Sequence, residues 1–393
     1  MPHPLDLLDV DDTLSDDERA VRESARRFVD DHVLPLMAAA YRDGRFPWQL
    51  APGLAQLGLL GAPLSTHGCA GLSPVAYWLA LAELERADSG LRSFASVQTS
   101  LVMFPLSKFG SEAQKDRWLP QLRDASVVGC FGLTEPDAGS DPAALRTLAT
   151  PVGAGWKLTG TKRWITNGTR ADLALIWAKT AAADVDGKSI RGFLVQKGTP
   201  GFSQTAIVHK QSFRCSDTAE LHLDDVVVGA DALLPGTRGL GSALSCLAEA
   251  RSGIAMGVTG AADACLSATL AFVADRPSFG RPLAGHQLVQ EKLANMAVDL
   301  SMAKLLSLRM GRLKEQGKLQ PVQISIGKMN NVRTCLGIAR TCRELLGANG
   351  ITDDYPVMRH MCNLETVYTY EGTHDVHSLV VGAFLTGHPA FGR

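Results

Sequence analysis

The hydrophobic rhythm of this chain changes twice, and that order limits the folds open to it. From about Ser15 to Leu122 the apolar residues recur at helical spacing, and Asp16-Asp17-Glu18-Arg19 suits a helix start because carboxylates favour the positive end. The run from Val75 to Glu85 is apolar almost all round, which places such a helix between other helices. The texture changes near Gly132. From Gly155 to Leu234 the segments are short and punctuated by turns. There Leu221 and Leu223 alternate with Glu220, His222 and Asp224, the pattern of a half-exposed strand, and Leu173–Ala178 reads as a short buried one. After Pro235-Gly236 the helical period returns. Leu293, Met296, Leu300, Ala303 and Met310 mark a long helix that packs in a bundle or against another subunit. A chain of 393 residues is too long for one simple core. The expectation is an α+β protein with a helical domain at 1–131, a β domain at 132–235 and a helical bundle at 236–393.

Composition narrows the function. With 39 basic and 40 acidic residues the net charge is −1, so no nucleic-acid partner is expected. The 8 cysteines are scattered without a C-x-x-C pair, so reduced, mostly buried thiols are expected and no metal site. Met-Pro-His-Pro-Leu-Asp carries no basic patch followed by an apolar run, so no leader is expected. No stretch reads as the ~20 apolar residues of a membrane span. A cytoplasmic protein without membrane attachment is expected.

Five segments have the residue types for chemistry. In Leu133-Thr134-Glu135-Pro136-Asp137-Ala138-Gly139-Ser140-Asp141, short polar groups surround a glycine that lets backbone approach a ligand. Trp164-Ile165-Thr166-Asn167-Gly168 offers a flat ring beside a hydroxyl. Asp275-Arg276-Pro277-Ser278-Phe279-Gly280-Arg281 offers planar guanidinium forks suited to a pyrophosphate. Glu344-Leu345-Leu346-Gly347-Ala348-Asn349-Gly350 is glycine-rich. In Tyr370-Glu371-Gly372-Thr373 a lone carboxylate follows a helical segment, and a dry pocket would make it a base. No G-x-G-x-x-G follows a strand, which disfavours a nicotinamide cofactor.

In this order and spacing, from about Leu14 to Phe391, the chain resembles the acyl-CoA dehydrogenases. The resemblance implies a helical N-domain, a middle β-barrel and a C-terminal four-helix bundle. It also implies FAD as cofactor, an acyl-CoA substrate, a homotetramer built as a pair of dimers, and an electron-transfer flavoprotein as acceptor. Phe131, Leu133 and Thr134 would touch FAD, and Ser140 would help hold cofactor or substrate. Trp164 and Thr166 would lie beside the flavin ring. Arg276 would reach the FAD phosphates across a dimer interface, with Phe279 packed on the cofactor and Gln287 on its adenosine half. Glu344, Leu345, Gly347 and Ala348 would approach FAD from the neighbouring subunit, Ala348 standing where many relatives have glycine. Thr373 and Asp375 would complete the cofactor contacts. Glu371 would remove the substrate α-proton while its backbone N–H and a flavin ribose hydroxyl hold the thioester oxygen. Arg251, Tyr370 and Gly372 would line the substrate site. Some subfamilies place the base just before the residue matching Arg251. Here that position is Ala250, and neighbouring Glu249 would point away by about 100°.

The substrate reading rests on Glu83–Gln98. Gly90-Leu91-Arg92-Ser93, the later Ser96-Val97-Gln98 and the upstream Gly68-Cys69-Ala70-Gly71 resemble the glutaryl-CoA dehydrogenases within that family. By that match Arg92 and Ser93 bind the distal carboxylate of glutaryl-CoA, with Glu85 close by, and oxidation is followed by decarboxylation to crotonyl-CoA. A buried carboxylate needs such a partner, and arginine supplies a bidentate one. Leu91, Tyr368 and Glu249 depart from that subfamily, where Tyr, Asn, and Asn or Ser are common. Another short acyl thioester, on CoA or an acyl carrier protein, therefore stays open. So does a non-catalytic flavoprotein on the same fold, against which Glu371 counts.

Overall fold

The computed structural model describes residues 5–184 and 186–391. The first four residues, part of the leader reading, lie outside them. The N-terminal helices are α1 (Asp16–Phe28), α2 (Leu34–Asp43), α3 (Ala51–Gln56), α4 (Pro74–Ala87), α5 (Ser89–Ser96), α6 (Phe104–Phe109) and α7 (Glu112–Arg123). The strands that follow are β1 (Gly129–Gly132), β2 (Leu148–Val152), β3 (Gly155–Thr166), β4 (Leu173–Lys179), β5 (Ile190–Gln196), β6 (Phe202–Ala206) and β7 (Thr218–Gly229). The last part holds α8 (Gly239–Asp275), a small hairpin of β8 (Pro277–Ser278) and β9 (Arg281–Pro282), then α9 (Gln287–Glu315), α10 (Pro321–Leu345), α11 (Val357–Thr369) and α12 (His374–Thr386).

Local chemistry sets the helix starts. At α1, Ser15 Oγ accepts from the Glu18 N–H at 3.2 Å while Glu18 Oε2 accepts from the Ser15 N–H at 2.8 Å, a reciprocal cap. The acidic start Asp16-Asp17-Glu18 therefore acts as the sequence implies. Asp88 breaks the chain between α4 and α5, where the backbone is extended, and its carboxylate accepts from the Gly90 N–H at 2.7 Å. That break turns the last turn of α4 toward the first turn of α5, so Glu85 meets Arg92. A π-helical stretch, Val97–Met103, follows α5. Its buried Gln98 accepts from the Gly129 N–H at 2.8 Å, tying this stretch to β1.

The strands form one curled seven-stranded sheet in the order β1-β4-β2-β3-β7-β6, with β5 on β4. This is the barrel-like middle layer expected. Strand β4 is buried on both faces, which explains its unbroken apolar run. The ladder between β3 and β7 slips between Lys162 and Ile165, leaving a bulge at Trp164.

Helices α8 to α12 form the C-terminal bundle, with α8 and α10 at its centre. Asn331 of α10 donates at 2.8 Å to the carbonyls of Ala255 in α8 and Ala303 in α9, joining three helices. Helix α8 also packs along α4. A Cβ on Gly260 would stand 1.8 Å from the Ala82 carbonyl oxygen, so only glycine permits this approach. Contrary to the sequence expectation, α8 is long and apolar enough to cross a membrane by length and composition. Burial of 67% of its most apolar window against other helices accounts for that composition.

Candidate active site

Glu371 stands where α11 ends and α12 begins. Its φ is 51°, a left-handed conformation costly for a residue with a Cβ, and Gly372 follows at 90°. Thr373 then caps α12, its hydroxyl accepting from the Val376 N–H at 3.2 Å. Buried Lys328 and half-buried Arg251 hold the turn. Lys328 Nζ donates to the Tyr370 carbonyl at 2.5 Å and the Gly372 carbonyl at 2.6 Å. Arg251 Nε donates to the Glu371 carbonyl at 2.6 Å. His377 of α12 closes the side at Gly372, where a Cβ would lie 2.8 Å from its Nε2.

The Oε2 of the Glu371 carboxyl is buried and has no hydrogen-bond partner among the described residues. Burial raises its pKa above the ordinary range, while Arg92, Arg251 and Lys328 act in the opposite direction. Burial likewise lowers the pKa of Lys328, and brings that of His377 down to about 3. His377 is therefore neutral at physiological pH, and its Nδ1 is 3.1 Å from Ser325 Oγ.

Arg92 is fully buried beside this turn. Its Nε donates to Glu85 Oε2 at 2.7 Å and its Nη2 to the Tyr370 hydroxyl. Among the described residues its Nη1 has no partner, nor has Glu85 Oε1. Burial alone would lower the pKa of Arg92, but Glu85 and Tyr370 raise it, so the guanidinium stays charged. Ser93 is buried next to it. The structure thus brings Glu85, Arg92, Arg251, Tyr370, Glu371 and Gly372 into one cluster, with Ser93 the buried neighbour of Arg92 along α5. Ala250 is buried, and Glu249 is committed to Lys314 Nζ at 2.5 Å. Leu91 lies in the core, and Tyr368 stacks on His374 with ring centroids 4.7 Å apart.

A second group surrounds the bulge in β3. Trp164 is left-handed at 63°, with 56% of the residue exposed and the Arg163 guanidinium 5.3 Å from the ring centroid. The Thr134 carbonyl accepts from the Arg163 N–H at 2.9 Å, laying the 131–141 loop beside the bulge. Phe131 and Leu133 are buried, Phe131 against Trp177, while Ser140 is exposed and Thr166 half-buried. The pair beneath is Lys162 with Glu135, 2.7 Å apart and buried. Lys162 also donates to the Leu133 carbonyl at 3.1 Å. Burial pushes Lys162 down to about 8, whereas for Glu135 the Lys162 charge and hydrogen bonds outweigh burial and lower its pKa.

The third group stands on the surface. Phe279, left-handed at 48°, is 97% exposed at the hairpin tip. Arg276, Gln287, Ala348 and Asp375 are exposed, as is Gly347. Glu344 pairs with Lys292 of α9, and Leu345 is half-buried. The residue types present suit the chemistry of a flavin dinucleotide: exposed aromatic residues at Trp164 and Phe279, hydroxyls on Thr134 and Thr166, and the Arg276 guanidinium. Sequence reasoning missed Lys328, His377, Lys162 and the role of Glu135. Lys328 left a signal: it recurs with Ile324, Ser325, Gly327 and Asn331 on the buried face of α10, where a lysine needs a reason.

Comparison with known proteins agrees with this geometry. Family models for the acyl-CoA dehydrogenase N-terminal, middle and C-terminal domains match residues 15–126, 130–226 and 237–386. A mitochondrial short-chain specific acyl-CoA dehydrogenase of Bos taurus is 34% identical over 95% of this chain and 90% of its own. A glutaryl-CoA dehydrogenase from Mycobacterium smegmatis, solved in complex with FADH2, superposes with a TM-score of 0.96 at 50% identity, covering 99% of both chains. Butyryl-CoA dehydrogenase from Megasphaera elsdenii gives a TM-score of 0.91 at 32% identity, covering 95% of this chain and 99% of its own. The chain belongs to the acyl-CoA dehydrogenase family.

Proposed function

We propose that this flavoenzyme, an acyl-CoA dehydrogenase acting on a CH–CH bond, oxidises glutaryl-CoA and releases CO₂ to give crotonyl-CoA. The observation that carries the proposal is Arg92, a buried guanidinium with one nitrogen unpartnered among the described residues and another bonded to the residue beside Glu371. In this reading Glu371 takes the α-proton of the thioester and its backbone N–H steadies the thioester oxygen. Arg251 and Lys328 keep that carboxylate placed, and Tyr370 and Gly372 form the walls on either side. Arg92 and Ser93 orient the distal carboxylate, with Glu85 balancing the arginine's charge. Bound FAD supplies the acceptor for the β-hydrogen and its electron pair. Phe131, Leu133, Thr134, Ser140, Trp164 and Thr166 receive the cofactor from one chain. Arg276, Phe279, Gln287, Glu344, Leu345, Gly347, Ala348, Thr373 and Asp375 complete its site across a subunit boundary in a homotetramer. After oxidation the γ-carboxylate leaves as CO₂, its electron pair passes into the thioester, and reprotonation gives crotonyl-CoA. The electrons leave to an electron-transfer flavoprotein, in the cytoplasm.

A second reading follows from Glu85, which already neutralises Arg92. A neutral pair at the pocket end also suits a short apolar acyl chain, so butyryl-CoA is the competing substrate. Arg92→Met, with Glu85→Gln added so that no lone carboxylate stays buried, should lower kcat/KM for glutaryl-CoA about 100-fold and for butyryl-CoA less than about tenfold. Equal losses on both thioesters would favour the second reading. Mass analysis of the product separates crotonyl-CoA from glutaconyl-CoA.

A further inference from the structure

Three successive carbonyls, those of Tyr370, Glu371 and Gly372, accept from basic side chains, and one lysine takes two of them. Lys328 reaches this turn from the middle of α10, with 2% of its surface exposed. Among the described residues no salt bridge occupies its ammonium; besides the carbonyls it has the Tyr370 ring, 5.6 Å from Nζ to the centroid. A lone lysine is costly to bury, so its retention calls for a compensating anion. The carboxylate nearest in sequence to both of its hydrogen bonds is Glu371, between the two carbonyls it holds. Attraction to Glu371 counters the burial that lowers the Lys328 pKa, and the lysine in turn restrains the rise at Glu371.

We propose that Lys328 is the positioning residue for the base: it fixes the left-handed backbone of Glu371 through the flanking carbonyls and supplies the countercharge to its carboxylate. The proposal rests on the reading of Glu371 as the base. Arg251 cannot replace it, because it bonds only the central carbonyl, from α8 on another side. The remaining charged or titratable groups facing Glu371 are Arg92 on α5, Arg251 on α8, Tyr370 at the end of α11 and His377 on α12, with Glu85 on α4 behind Arg92. Lys328 is the only member of this set that grips both ends of the turn. A helix that carries such a lysine on its core face thereby couples packing of the bundle to the placement of the base.

The test compares FAD-loaded wild type, Lys328→Gln, Lys328→Arg and Glu371→Gln with glutaryl-CoA and butyryl-CoA as probes and a dye as acceptor. FAD absorbance and thermal unfolding are recorded for each. Gln keeps a donor for the carbonyls but not the charge. For Lys328→Gln we expect FAD retained, kcat down about 100-fold, KM within about threefold, and the acid limb of kcat against pH moved up by about one unit. The limb moves up because loss of a cation favours the protonated carboxyl. Lys328→Arg should restore most of both. An unmoved acid limb in Lys328→Gln overturns the proposal whatever happens to kcat, and so does failure of that variant to fold or keep FAD, which would make Lys328 a residue of the scaffold alone. Wild-type turnover in Glu371→Gln would instead defeat the reading of the base itself, independently of the lysine variants.

Discussion

Glu371 is uncomfortable in two ways at once: its backbone is left-handed and its Oε2 is buried without a hydrogen bond among the described residues. Both costs fall on the residue proposed as the base, where strain and a shifted pKa are expected. The charge cost gives a signed prediction. The folded-state pKa of Glu371 is raised, so between its ordinary value and that raised value the native state binds more protons than the unfolded one. The stability from this group is therefore fully present below the unfolded pKa and is lost as pH rises through the folded pKa. Glu371→Gln mimics the protonated form throughout. Its melting temperature should exceed that of wild type by a few degrees near pH 8, roughly 2–4 °C, with the gap closing as pH falls toward about 4.5. FAD should stay bound while dehydrogenation drops by about 10³-fold or more. A constant gap across this range, measured by calorimetry at several pH values, would mean that Arg92, Arg251 and Lys328 already offset the burial. Glu371 itself was legible, because a carboxylate between Tyr and Gly-Thr sits in one contiguous motif. The bonding partners of Lys328 were not, because they lie 42 and 44 residues further along the chain and only the fold joins them.

At the scale of elements, the site depends on how closely α4 and α8 approach. Gly257 faces the Glu85–Arg92 pair, where a Cβ would stand 2.5 Å from Glu85 Oε2. One turn further on, Gly260 meets the Ala82 carbonyl, a backbone atom that has no rotamer to yield. Gly260→Ala should therefore push the helices apart and destabilise the fold by about 2 kcal/mol or more, with a parallel fall in activity because Glu85 and Arg92 ride on the same packing. Gly241, also in α8, has open space around its missing Cβ, and Gly241→Ala should be neutral or stabilising by about 0.5 kcal/mol. Thermal unfolding of both variants checks the contrast; similar effects would show that spacing does not govern α8. The sequence pattern revealed both helices through their apolar faces, since periodicity is a local property. The helical texture read from about Ser15 to Leu122 does not show, however, that the chain breaks at Asp88, where the backbone is extended. Asparagine 363 on α11 helps hold that break by donating to Asp88 at 2.8 Å, a partner no local window contains.

For the whole molecule, the order helix, sheet, helix was readable because burial dictates which residues are apolar in each part. The bulge at Trp164 was not, since it arises from a slip between β3 and β7. What one chain leaves unburied is as informative. Phe279 is 97% exposed, Leu288 74%, Phe384 70% and Leu385 76%, all in the C-terminal third. Side chains of this size in contact with water at several places point to subunit contacts. Phe279 is also the ring assigned to the cofactor, so assembly and flavin retention should be coupled. We expect the protein to sediment as a homotetramer. Phe384→Glu combined with Leu385→Glu should lower the sedimenting mass, because two carboxylates would enter an apolar contact unpaired. FAD content should fall with it, since Arg276 and Phe279 would no longer be presented to a neighbour. A smaller particle with its full FAD absorbance would show that each chain holds the cofactor alone. Unchanged mass would show that the end of α12 lies outside any subunit contact.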